Sequence, residues 1–243
     1  MTVKQDQDTE QPTAAATEDS QRLCCGGGSM QAYPPQLDDV MPMTSEAHER
    51  SIADMLALRR RQGFEDQDIW LFAYGSLIWR PECPAIESLR GHIEGFHRGL
   101  YLWSRIHRGT PEQPGLVFGL DEGGGCSGVA FKLSAEDLQC HLLALWKREM
   151  PDCSYRPRWV PCALENGCTV PALAFVVARD QPTYAGELPD EIVRKVFDTA
   201  CGQCGTTYDY VTQTAVALRN AGMPDEALEG LLHRCQPSVN AVS

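Results

Sequence analysis

Apolar residues crowd positions 69–73, Ile-Trp-Leu-Phe-Ala, and the run then breaks at Tyr74-Gly75-Ser76 before a bulky Leu77-Ile78-Trp79 trio. A run of this kind reads as a strand buried on both faces, and Pro81 keeps any helix that starts after it short. Further strand-like stretches lie at 92–103, 115–120, 127–133, 159–164 and 169–177, separated by Gly/Pro turns and the Asp121-to-Gly125 loop. Helical periodicity marks 135–149, 190–201, 208–221 and 225–233. Ser134 stands where an N-cap belongs, with Glu136 and Asp137 in the first turn, and Gly222 is placed to stop the third of these helices. Upstream, 45–62 reads as a further helix, with Ile52, Met55 and Leu56 on one stripe and Arg59, Arg60 and Arg61 at its end.

Strands come mostly together and helices come late, with one helix inserted before the last two strands. That order does not alternate as a doubly wound parallel sheet would, and it predicts an α+β fold with a largely antiparallel, barrel-like sheet. Residues 67–236 have the size of one domain. Residues 1–43, rich in Gln, Asp, Thr, Ala, Gly and Pro, bury too little apolar surface and are expected to form a disordered tail. Residues 44–66 form a helical linker that docks on the domain or floats, 237–243 a short tail, and no internal repeat is visible.

Composition narrows the function. The chain has 243 residues, 43% of them apolar, and a formal net charge of −12, which disfavours nucleic acid and anionic membranes as partners because phosphate binding needs a basic surface. No stretch approaches a membrane span, and no apolar segment of signal-peptide length precedes Leu23, so a cytoplasmic location is expected. The eleven cysteines are scattered and odd in number, which suits reduced thiols better than a disulfide framework.

For chemistry, the six histidines contain no HExxH pair, and only Cys201-Gly202-Gln203-Cys204 has ligand-like spacing. One such pair between two helices is weak evidence for metal or redox work, so neither a metal nor a cofactor is expected. Ser76 lacks the second glycine of a nucleophile elbow, which weakens a serine hydrolase. A turn at Tyr74-Gly75-Ser76 would instead present backbone N–H groups beside a hydroxyl and a phenol, an anion cradle, against the plainer alternative of a tight turn. Glu149 falls in the last turn of a predicted helix, where the helix dipole disfavours a carboxylate and raises its proton affinity toward that of a general base. Lys147 and Arg148 push the other way, and an exposed ion-paired glutamate is the competing explanation.

Taken together, "FAYGSLIW" after a first strand, then "LLALWKREM" and a downstream Y-x-P-x-W, resemble the ChaC family of glutathione-specific γ-glutamylcyclotransferases over about residues 68–233. The resemblance implies a γ-glutamylcyclotransferase-like mixed, largely antiparallel β-barrel with flanking helices. It implies cleavage of glutathione to 5-oxoproline and cysteinylglycine without cofactor, Glu149 as the catalytic acid/base and a substrate-binding loop at Tyr74, Gly75, Ser76, Leu77, Ile78 and Trp79. Tyr155 and Tyr210 match aromatic positions near the pocket. The long N-terminal segment and the Cys201–Cys204 pair depart from the family pattern. Another γ-glutamyl substrate, a non-catalytic glutathione-binding regulator, a hydrolase using Ser76 and a thiol-redox protein remain as rivals, and the oligomeric state is open.

Overall fold

The computed structural model describes residues 32–37, 40–81 and 84–238. Of the two expected tails, 1–31, 38–39 and 239–243 lie outside these. Five strands, β1 (Trp70–Ala73), β2 (Ala85–Ser104), β3 (Gly115–Leu133), β4 (Tyr155–Leu164) and β5 (Thr169–Val177), close into a barrel in the order β1-β3-β2-β4-β5. Neighbours pair antiparallel. The exceptions are β5 against β1, where Trp70 faces Ala172 and Leu71 faces Leu173, and a single parallel contact of Leu120 with Val176. Helices α1 (Ser45–Arg61), α2 (Leu138–Glu149), α3 (Asp190–Thr199), α4 (Thr207–Asn220) and α5 (Glu226–Arg234) surround the barrel, with a small hairpin of β6 (Cys201–Gly202) and β7 (Gly205–Thr206) between α3 and α4. The α+β class and the mixed, mostly antiparallel barrel agree with the expectation.

β1 is buried on both faces, which accounts for its unbroken apolar run. Leu71 and Ala73 join Ile52 and Met55 of α1 and Leu142, Leu145 and Trp146 of α2 in one core cluster, while Trp70, Phe72 and Tyr74 join a second cluster with α3, α4 and α5.

Three sequence expectations give way. The stretch 121–125 is no loop between strands but the middle of β3, paired with β2. Glu94 faces Gly125 and Phe96 faces Glu122, so Gly95 on one strand opposes Gly123 and Gly124 on the other, all three at positive φ. A bulge built from glycines bends the ribbon without ending it. The helix expected from 135 begins at Leu138, after Asp137 in the left-handed region at φ 51°. The Ser134 hydroxyl accepts the Glu136 N–H at 3.2 Å and so closes a local turn instead of capping the helix.

The third correction concerns the start of the folded body. Residues 32–37 and 40–43, expected to belong to the tail, pack on the domain: Leu37 is 6% exposed, Tyr33 stacks on Trp103 at 5.9 Å, and the Met43 N–H bonds the Pro151 carbonyl at 2.9 Å. Average polarity hid these single anchors, which follow no helical or strand period. The linker helix docks as well. His48 Nε2 meets the Met150 carbonyl at 2.7 Å, Trp146 Nε1 donates to Ser51 Oγ at 3.0 Å, and Trp159 Nε1 donates to the Met55 carbonyl at 3.0 Å.

Leu37→Ala tests this segment. Truncation of a buried leucine to alanine typically costs about 2–5 kcal/mol, which for a chain of this size lowers Tm by roughly 5–15 °C. A fall of under about 2 °C in a thermal melt would show that residues 32–37 are no part of the core.

Candidate active site

The ends of β1 and α2 open onto one cleft of about 460 Å³. After Ala73 the chain passes through Tyr74 and Gly75 into one 3-10 turn, Ser76–Ile78, in which Ile78 N–H bonds the Gly75 carbonyl at 3.0 Å and Trp79 N–H that of Ser76 at 3.2 Å. The amides of Ser76 and Leu77 open the turn and so have no acceptor within it. Gly75 cannot carry a side chain here, because a Cβ would stand 2.8 Å from the Tyr210 hydroxyl.

Glu149 ends α2, and Pro151 lies just beyond it. Its side chain is 16% exposed and its Oε1 lies 3.0 Å from Nε of Arg148. Arg148 also reaches across to the loop, donating from Nη2 to Ser76 Oγ at 3.2 Å and from Nη1 to the Arg80 carbonyl at 2.7 Å. One guanidinium thus spans the carboxylate and the loop.

Of the residues singled out from sequence, Tyr74, Gly75, Ser76, Leu77, Trp79, Glu149, Tyr155 and Tyr210 line this cleft. Ile78 does not; it packs against both core clusters. A 3-10 turn sets successive side chains about 120° apart, so three consecutive residues cannot share one face. The tyrosines are tightly held. Tyr74 donates to the Phe175 carbonyl and Tyr155 to the Phe118 carbonyl, both at 2.6 Å, while the Tyr210 oxygen accepts the Phe118 N–H at 3.2 Å. Burial pushes all three phenols above their ordinary value, and the negative charge of Glu149 adds to the rise.

Sequence reading missed the cations. Arg80, Arg105 and Arg108 line the cleft with Arg148, Glu149 and Asp152, and His107 lines it as well, burial and the neighbouring Arg108 holding its pKa below the usual imidazole value. Arg108 is 5% exposed, its guanidinium 5.0 Å from the Tyr210 ring and 5.9 Å from that of Trp79, and it donates to the carbonyls of Cys204 and Thr206. The signal was present in Arg105-Ile106-His107-Arg108, three basic residues at the end of a strand in a strongly acidic chain. Val40 and Pro42 add to the wall from the N-terminal side. Among the described residues no group of three or more His, Cys, Asp or Glu side chains could hold a metal ion.

A closed mixed barrel whose cleft joins a helix-terminal carboxylate to a strand-terminal glycine loop defines the class. A family model described as ChaC-like protein matches residues 69–237, and the chain belongs to that family. A protein of Escherichia coli (strain K12) named glutathione-specific γ-glutamylcyclotransferase is 35% identical over 196 residues, covering 81% of this chain and 83% of that protein. The human glutathione-specific γ-glutamylcyclotransferase 1 is 30% identical over 166 residues, covering 67% and 75%. Among solved structures, that of a yeast γ-glutamyl cyclotransferase specific to glutathione superposes with a TM-score of 0.64 at 21% identity, covering 69% of this chain and 95% of that one; at that identity it supports the fold.

The buried phenols make a pH prediction. Tyr74, Tyr155 and Tyr210 hold their protons more tightly folded than in an unfolded chain, where tyrosine titrates near 10. Their contribution to stability is therefore complete below about pH 10 and lost as pH rises above it. Tm is expected to fall beyond that pH, and to fall less steeply in Tyr210→Phe; equal slopes for the two proteins would contradict the assignment.

Proposed function

We infer that this chain is a glutathione-specific γ-glutamylcyclotransferase acting in the cytoplasm. The observation that carries the inference is the meeting of the Glu149 carboxylate, the Gly75–Leu77 backbone and four arginines in one cleft, in a ChaC-family chain whose curated relatives bear that name. The cleft falls within the range of roughly 300–1,000 Å³ usual for small-molecule sites. Glutathione carries a carboxylate at each end. The arginines complement that charge, and the buried Arg108, surrounded by rings and carbonyls, is a fitting counterpart for one of the two carboxylates.

The reaction is a cyclisation. Glu149 takes a proton from the α-ammonium of the γ-glutamyl group, and the freed nitrogen lone pair attacks the γ-carbonyl carbon. A C–N bond closes the five-membered ring while the carbonyl π electrons move to oxygen, where the loop amides receive the charge. The oxyanion then collapses and the original amide C–N bond breaks as Glu149 returns its proton to the departing nitrogen; the ring nitrogen, cationic since the attack, gives up its second proton through the same carboxylate, and cysteinylglycine leaves with both protons as its ammonium. No water is consumed and no enzyme nucleophile is needed. The cleft supplies the fold of the substrate chain that brings nitrogen to carbon.

Hydrolysis by Ser76 fits less well, because its hydroxyl is held by Arg148, a group that cannot accept its proton. A redox role for Cys201 and Cys204 fits less well too, since they lie on the β6–β7 hairpin and not at a strand-to-helix turn.

Incubation with glutathione should yield 5-oxoproline and cysteinylglycine in equal amounts by mass spectrometry, with slower turnover of γ-glutamyl amides that lack the glycyl carboxylate. Free glutamate as the product would favour hydrolysis. Glu149→Gln should lower kcat at least about 10²- to 10⁴-fold, the usual contribution of a general acid–base, with Tm unchanged. Retention of more than a tenth of wild-type kcat would remove Glu149 from the mechanism.

A further inference from the structure

At the start of the Tyr74-to-Trp79 loop lies an ion pair, its arginine buried and its aspartate partly exposed, that the cyclisation scheme does not use. Arg98 of β2 has a side chain only 4% exposed. Its Nη1 donates to the Tyr74 carbonyl at 2.9 Å and to the Ser127 carbonyl at 3.2 Å, and its Nη2 to Asp225 Oδ2. Asp225 in turn caps α5, its Oδ1 accepting the Leu228 N–H at 3.0 Å. Burial pushes the Asp225 carboxyl up, but Arg98 and the amides of Leu228 and Ala227 outweigh it and hold it below the usual carboxylate value.

A buried ion pair adds little net stability, because desolvation offsets most of the attraction. Here its second nitrogen is aimed at one particular carbonyl. The Tyr74–Gly75 peptide is trans, and in a trans peptide the C=O and the following N–H point opposite ways. With the Tyr74 oxygen drawn back to Arg98, the Gly75 N–H is turned to the other side. Gly75 is also the residue most able to let that peptide flip, since it lacks a Cβ, and it must lack one because of Tyr210. The site therefore contains a peptide that could rotate and a guanidinium that prevents it. Donation to the carbonyl also polarises the amide and strengthens its N–H as a donor.

We propose that Arg98 is a positioning residue for the cyclisation, fixing the Tyr74–Gly75 peptide so that the Gly75 N–H meets the oxyanion formed from the γ-carbonyl. The proposal rests on the γ-glutamylcyclotransferase reading. Asp225 holds Arg98 in place, which makes the start of α5 a support for the reacting loop.

The test compares Arg98→Lys, Asp225→Asn and the double variant Arg98→Met/Asp225→Asn, in which both charges of the pair are gone and asparagine still caps α5. Loss of one oxyanion donor usually lowers kcat about 10²- to 10³-fold, and the double variant should show such a fall with KM within about threefold of wild type. Arg98→Lys, which can still donate to the Tyr74 carbonyl, should recover at least about tenfold of that loss. In glycine-labelled Glu149→Gln protein, expected to bind glutathione while turning it over slowly, the Gly75 amide resonance should shift on titration with glutathione, and adding Arg98→Met/Asp225→Asn should abolish that shift while binding persists. A double variant with kcat within tenfold of wild type, no recovery in Arg98→Lys, or a Gly75 shift that survives without Arg98 would each overturn the proposal. If wild-type protein makes no 5-oxoproline, it is the functional reading that fails, and the Gly75 titration still judges the peptide geometry by itself.

Discussion

The barrel closes through a short parallel ladder, Trp70 to Ala172 and Leu71 to Leu173, and every feature of the cleft hangs on that closure. Because β1 is paired on both edges and buried on both faces, its end cannot swing, and Tyr74 leaves it at a fixed point. The phenol of Tyr74 reaches forward to the Phe175 carbonyl on β5, the same strand that closes the barrel, so the residue is held through its backbone and its side chain. Gly75 and the 3-10 turn inherit from it a rigid origin. Function on a loop needs such an origin if donors are to be placed to within a fraction of an ångström.

The second fixed point is the end of α2, and the two are tied by contacts of different character. Apolar packing of α1 and α2 over Leu71, Ala73 and Phe175 sets the distance between helix and sheet. Arg148 then joins the carboxylate of Glu149 to Ser76 and Arg80 across the gap. A guanidinium suits this task because its planar fork addresses several acceptors at once, which an ammonium does in no preferred geometry. The cleft is thus positively framed inside a protein that is negative overall, and an anionic substrate gains most of its electrostatic attraction only once it has left bulk water.

How much of this was legible beforehand depends on which physics is local. The broken apolar run at 69–79 marked the end of β1 and the loop, and the amphipathic stripe ending at Glu149 marked the second wall, because both are written in consecutive residues. The barrel's closure, the passage of β3 through 121–125 and the burial of Arg98 and Arg108 depend on partners far along the chain. Gly123 and Gly124 are turn residues by every local criterion; only the facing Gly95 makes them a bulge. Ser134 has the right identity for a helix cap and loses that role to its own neighbour's amide. Of Leu77, Ile78 and Trp79, all three expected to pack the loop from behind, Ile78 alone keeps out of the cleft and packs against both core clusters.

The N-terminal segment bears on the cleft in one more way. Val40 and Pro42 stand in its wall, and Pro42 bridges to Asp152 just beyond α2. Docking of residues 40–43 and occupancy of the cleft are consequently linked equilibria: a ligand that touches the docked wall tightens the docking, and whatever tightens the docking strengthens the ligand by the same factor. The segment before α1 is in this sense a thermodynamic partner of the bound molecule, joined to it by reciprocity although it brings no chemistry of its own.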